Sequence, residues 1–145
     1  MIKNAPYNHI LVALDLEADN HTLLARACNL ARSLDAQLSV IHVDVDLHEL
    51  YSELIDIDIV SAQSDALNQT RQKLDAALEI VDYPWSKRLL VCGDMVEQVV
   101  DAVREYQIDL LMCGHHQNFW RQMFSASRQL LNEATCDVLV IPLQA

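Results

Sequence analysis

Strand-sized apolar runs alternate with amphipathic stretches along this chain, and this alternation most constrains its fold. Five runs are apolar at nearly every position, in segments 9–14, 37–43, 87–92, 109–113 and 137–141. Such runs are typical of parallel strands that are covered on both faces. Helical spacing of apolar residues marks the stretches between them, in segments 20–34, 61–81, 95–103 and 120–134. With right-handed crossovers, the pattern predicts an α/β fold: an open, doubly wound (Rossmann-like) parallel sheet with helices on both faces.

Length and composition predict one domain over residues 1–145, since 145 residues with 52% hydrophobic content can bury a substantial core. The net charge of −11 argues against binding to nucleic acid or to an anionic membrane surface. No apolar run is long enough to cross a bilayer, and the start MIKNAPYNHI lacks the apolar core of a signal peptide. None of the four cysteines forms a C-x-x-C pair, which favours reduced thiols and a cytoplasmic protein.

The junction DLLMCGHHQNFWRQMFSASR, residues 109–128, lies where a parallel α/β fold would hold a phosphate at a helix start. The sequence predicts a buried strand, a sharp turn at Gly114 and then a helix. A phosphate cradle needs several glycines so that the backbone can approach the ligand closely. Only Gly114 is present, and large side chains follow it. The loop chemistry therefore argues against a phosphate site.

Neighbouring histidines at His115 and His116 raise the possibility of a metal site. Zinc requires three or four ligands at defined spacing, and adjacent residues rarely chelate one ion. We therefore expect a turn or helix-capping role and no metal. His42, within the second apolar run, is expected to be a hydrogen-bonded core or interface histidine rather than a catalytic base.

The segment after the second predicted strand is rich in acids and contains no lysine or arginine. Its acids are Asp44, Asp46, Glu49, Glu53, Asp56 and Asp58. Paired carboxylates can hold a divalent cation, but a solvated acidic face is the favoured interpretation. The interleaved apolar residues, such as Leu54 and Ile55, predict an amphipathic segment that packs on the sheet, on a second copy or on a partner.

No catalytic group is assembled in the sequence. Ser125 and Ser127 lack the G-x-S-x-G context of a hydrolase nucleophile. We therefore expect a protein that is not an enzyme and that carries no cofactor.

Several segments together resemble the universal stress protein family, and within it the A-like branch (A/C/D type). They are HILVALDL, IHVDVDLHELYSELIDI, GDMVEQVVDAV, DLLMCGHHQNFW and DVLVIPL, which span nearly the whole chain. The resemblance implies a five-stranded parallel sheet in the order 3-2-1-4-5. It also implies a homodimer formed by pairing of the last strands, here Val138, Leu139, Val140, Ile141 and Pro142. Heterodimers with paralogues and contacts with other proteins remain open.

The family contains one class that binds ATP through the pattern G-x2-G-x9-G-[S/T] and one that lacks this loop. When the pattern starts at Gly114, its later positions fall on Gln117, Ser127 and Arg128, and none of them matches. The resemblance therefore implies the class that does not bind nucleotides and that acts in stress and growth-arrest endurance through protein contacts.

The alternative is an ATP-binding regulator or weak ATPase with a degenerate loop. Its nucleotide would contact Asp15, Val43, Gly114 and Ser127, because Asp15 and Val43 resemble the family's residues at the ends of strands one and two. Asp15 could equally cap the first loop by accepting backbone N–H bonds.

Overall fold

The computed structural model describes residues 7–14, 20–43, 54–58, 65–92, 95–115 and 135–142. Three helices and six strands lie in these ranges. In chain order they are β1 (His9–Leu14), α1 (His21–Leu34), β2 (Gln37–Val43), β3 (Leu54–Asp56), α2 (Asp65–Leu78), β4 (Trp85–Val91), α3 (Met95–Glu105), β5 (Leu110–His115) and β6 (Asp137–Pro142). The helix predicted over residues 120–134 lies outside the described residues.

The strands form one sheet in the order β3-β4-β2-β1-β5-β6. The prediction of five strands in the order 3-2-1-4-5 is therefore wrong, because β3 adds a sixth strand that pairs antiparallel with β4. The remaining five strands are mutually parallel and follow one another as β4-β2-β1-β5-β6. The predicted α/β class with a Rossmann-like parallel sheet is confirmed.

Alternate side chains of each central strand enter two separate cores. In β1, Ile10 and Val12 point to one face, whereas Leu11 and Ala13 point to the other. Helices α1 and α2 cover the first face with residues that include Leu24 and Leu74 (both fully buried). Helix α3 covers the second face through Val99, Val100, Ala102 and Val103. This two-sided burial explains why the central strands are apolar at nearly every position.

The short strand β3 comes from the acid-rich segment, whose described end, residues 54–58, therefore joins the sheet directly. Ile55 is buried against Leu67, Leu90 and Cys92. Asp56 and Asp58 are not simply solvated, because β4 supplies a base to each of them. Lys87 Nζ lies 3.6 Å from Asp56 Oδ2, and Arg88 pairs with Asp58 and with Asp75.

Helices α1 and α3 end in the same left-handed turn, although the chain has only two glycines and neither is used there. After α1, Asp35 has φ 52°, and Ala36 N donates to Ala31 O at 2.9 Å. After α3, Gln107 has φ 55°, and Ile108 N donates to Val103 O at 2.9 Å. These are Schellman motifs, in which glycine is the preferred left-handed residue.

Replacing Gln107 with glycine should stabilise the fold by about 0.5–1 kcal/mol, because it removes the Cβ clash of a left-handed residue. The measurement is the free energy of unfolding in urea. The matched control is Gln72→Gly at an exposed position inside α2. That change should destabilise by about 1 kcal/mol. Equal destabilisation by both glycines would contradict the assignment of Gln107 to the left-handed turn.

Candidate functional site

Two of the predicted nucleotide-contact positions, Val43 and Gly114, fall at the carboxyl edge of the sheet, where β2, β1 and β5 are neighbours. Leu14 ends β1 and is in register with His42, one residue before Val43 ends β2. On the other side, Ala13 is in register with Cys113, one residue before Gly114. Val43 and Gly114 therefore flank the end of β1, at the edge where open α/β sheets bind ligands.

Gly114 does not form the predicted turn. It is buried inside β5 and pairs in register with Ile141, and the ladder continues to His115 opposite Pro142. Continued pairing with β6 extends β5 beyond the predicted end at residue 113. The sequence signal failed because glycine is the usual marker of a turn, whereas here it lies in a paired strand.

Several predicted site residues lie outside the described residues. Among them are Asp15, which would contact a base or ribose, and Gln117, Ser127 and Arg128 of the loop pattern. His116 and the acids from Asp44 to Glu53 lie outside as well. The structure thus brings together Val43 and Gly114 but tests no phosphate contact.

The imidazole of His42 is buried beneath this edge. Its Nδ1 lies 3.2 Å from the Leu14 carbonyl oxygen, and because a carbonyl can only accept, Nδ1 donates. The side chain ties β2 to the last residue of β1. This arrangement supports the interpretation of His42 as a core histidine.

The described residues include no assembled metal site and no reactive thiol. No group of three or more His, Cys, Asp or Glu residues there could hold a metal ion. All four cysteines are free thiols. Burial raises the pKa of Cys113 to about 11 and also raises the pKa of half-buried Cys136, so both thiols stay protonated near neutral pH.

A chain of polar contacts, which the sequence pattern did not predict, crosses the opposite, amino edge of the sheet. From β3 to β6 its members are Asp56, Lys87, Ser39, His9, Asp109 and Asp137, one at or beside each strand. Asp109 Oδ2 accepts from the backbone nitrogens of Asn8 at 2.6 Å and His9 at 3.0 Å. Tyr7 donates its hydroxyl to Asp137 Oδ2 at 2.8 Å. The only sequence signal was a polar residue in or beside each apolar run.

Strand β6 forms one edge of the sheet, with β5 on its inner side and no described strand on its outer side. Val138 and Val140 pack against the α3 core. Leu139 points away from that core and is 39% exposed. An apolar edge strand with an exposed leucine near its middle is a surface that favours pairing with another strand.

No helix in the described ranges is both long and apolar enough to cross a bilayer. The sequence matches the profile of the Universal stress protein family over residues 6–142. It is 46% identical over 137 residues to "Universal stress protein A homolog" from Haemophilus ducreyi, covering 94% of this chain and 97% of the relative.

Two solved structures share the fold at low sequence identity. The universal stress protein from Archaeoglobus fulgidus in complex with dAMP is 18% identical with a TM-score of 0.63, covering 94% of this chain and 98% of that one. A universal stress protein in complex with cAMP is 20% identical with a TM-score of 0.58, covering 94% and 97%.

The match over nearly the whole length and the shared α/β fold show that this chain belongs to the universal stress protein family. Its 46% identity to a universal stress protein A homolog further supports the A-like branch.

Proposed function

We propose that this protein acts in stress and growth-arrest endurance as a non-enzymatic, dimeric scaffold of the A-like class, through protein contacts. The observation that carries the proposal is the apolar edge strand β6, with Leu139 exposed near its middle. Unpaired strand edges promote association, and a two-fold dimer would cover this one. Two copies would pair through Val138, Leu139, Val140, Ile141 and Pro142. A paralogue with a similar last strand could take the place of the second copy.

The absence of nucleotide binding is part of the proposal and rests on the loop sequence. Gln117 and Ser127 occupy the second and third glycine positions, and Arg128 occupies the hydroxyl position. Side chains at the glycine positions block the close backbone approach that a triphosphate needs. The four free thiols, three of them buried, fit a reducing compartment, and we propose the cytoplasm.

Calorimetric titration of Mg-ATP into nucleotide-free dimer should give no saturable binding in the low-micromolar range, which corresponds to about −8 kcal/mol. The loop sequence is the physical reason, since it offers no glycine cradle. Inorganic triphosphate serves as the control for non-specific anion binding. Saturable binding that excess ATP competes away would contradict the proposal.

A second candidate function is the binding of a nucleoside monophosphate. Relatives of the same fold are described in complexes with dAMP and cAMP, and one phosphate depends less on a glycine-rich loop than three do. The base would lie beside Val43 and Gly114, which flank the end of β1. Titration with AMP tests this candidate, and Gly114→Val, which adds a side chain at this strand position, should abolish any such binding.

A further inference from the structure

The strongest unassigned feature is a set of hydrogen bonds around the buried His9 and Ser39 side chains, at the amino edge of the sheet. Its parts are the side chains of His9 and Ser39, the Tyr106 carbonyl and the Lys87 backbone N–H, which together we name the His9 latch. His9 Nδ1 lies 3.0 Å from Tyr106 O, and His9 Nε2 lies 2.6 Å from Ser39 Oγ. Lys87 N lies 3.1 Å from the same hydroxyl oxygen. The latch joins β1, β2 and β4 to the end of α3.

The geometry fixes the direction of every hydrogen bond in the His9 latch. A carbonyl oxygen only accepts, so Nδ1 of His9 donates to Tyr106. In a neutral ring Nε2 must then accept, and the hydroxyl of Ser39 donates to it. The oxygen of that hydroxyl accepts from the Lys87 N–H. All donors and acceptors are satisfied only while the His9 ring is neutral.

Protonation of His9 breaks this pattern. A proton on Nε2 faces the hydroxyl proton of Ser39, which must then rotate away. Ser39 is fully buried, and its proton has no second acceptor among the residues that the structure describes. A buried donor without a partner is destabilising, and so is a buried charge.

We propose that the His9 latch is a proton-sensitive device. Neutral His9 keeps the hydrogen bonds between β1, β2, β4 and the end of α3 intact, and protonated His9 weakens them. Acidification of the protein's surroundings would protonate His9. The contacts that would then loosen are those of β4 at its third residue, Lys87, and of the turn that follows α3 at Tyr106.

Burial favours the neutral His9 ring, and the charges around the latch do not outweigh it. His9 is 7% exposed, and burial lowers its pKa below the ordinary 6.5. The Tyr106 carbonyl and the Asp109 carboxylate act in the opposite direction but are smaller effects. On the β4 side, the ammonium group of Lys87 lies beside Asp56 and over the ring of Tyr106, so it adds a positive charge that a carboxylate already balances.

The sign of the pH dependence follows from the lowered pKa. Above pH 6.5 the ring is neutral in both folded and unfolded chains, so the latch contributes its full stability. As the pH falls below 6.5, the unfolded chain takes up the proton first, and stability is lost down to the folded pKa.

Hydrogen exchange between pH 7.5 and 5.5, corrected for intrinsic rates, measures the opening directly. Protection of the Lys87 amide should fall on acidification, by up to about tenfold at pH 5.5, because that pH lies one unit below the 6.5 at which His9 of the opened chain takes up its proton. The amide of Val12, in the centre of the sheet, should lose less protection over the same change of pH. Equal losses at both amides, or no loss at Lys87, would overturn the proposal.

Two variants and a side-chain measurement complete the test. Ser39→Ala removes the hydroxyl that accepts from the Lys87 N–H, so the Lys87 amide should be poorly protected at every pH. The control variant His21→Gln, at an exposed position of α1, should show the wild-type pH dependence. Histidine nitrogen NMR of the wild type should show a proton on Nδ1 of His9 and a titration midpoint below 6.5. A midpoint at or above 6.5, or wild-type pH dependence of Lys87 in the Ser39→Ala variant, would refute the device.

Discussion

Replacing Leu139 with lysine is expected to convert the proposed dimer into monomers. Leu139 is exposed and lies near the middle of β6, so two-fold pairing would bring the two lysines close together. Lysines on an edge strand oppose pairing by charge repulsion and by their need for water. Size-exclusion chromatography with light scattering should then give a mass near 16.4 kDa, instead of twice that value for the wild type.

The matched control is Ile80→Lys. Ile80 is the other large exposed hydrophobic residue in the described part of the chain, at 40% exposure, and it follows α2 away from β6. The Ile80→Lys variant should remain dimeric. Val140 is a less suitable site for the test because it packs on the α3 core, and a lysine there would disturb folding as well as pairing. A dimeric Leu139→Lys variant would mean that the interface lies elsewhere.

Truncating Leu11 to alanine should lower the free energy of unfolding by about 2–5 kcal/mol. Leu11 lies in β1, between β2 and β5, and is 0% exposed against the α3 core. Its removal leaves a cavity that the surrounding strands can close only partly. Urea unfolding measures the loss, and all samples need the same protein concentration because association adds to apparent stability.

The control for Leu11 is Ile80→Ala, which removes a similar apolar group from the surface. That variant should stay within about 0.5 kcal/mol of wild type. If the two alanine variants lost equal stability, the central position of β1 in the core would be in question.

The apolar central strands were predictable because burial on both faces leaves a strong sequence signal. The predicted bounds of β1 and β2, residues 9–14 and 37–43, match the structure at both ends. Strand β3 was missed because three residues surrounded by acids carry too weak a pattern. The carboxylates of Asp56 in β3 and of Asp58 just after it pair with bases from β4, which no local pattern reveals.

The candidate sites were predictable to different degrees. The places of Val43 and Gly114 on either side of the end of β1 follow from the order of the parallel strands, whereas the pairing of Gly114 within β5 did not follow from the sequence. The His9 latch was not predictable, because its groups come from four separate segments of the chain. A histidine beside apolar residues does not reveal which hydroxyl or carbonyl it meets after folding.

The two sheet edges differ in a way that would limit how many copies can assemble. At β6 the outer edge is six residues long and apolar near its middle, whereas β3 is three residues long, antiparallel to its neighbour, and ends at Asp56 in a salt bridge. A sheet with two unpaired edges that can each accept another strand could add copies indefinitely, as fibres do. With one unprotected edge among the described strands, pairing through β6 would consume it, and assembly through strands would stop at two chains.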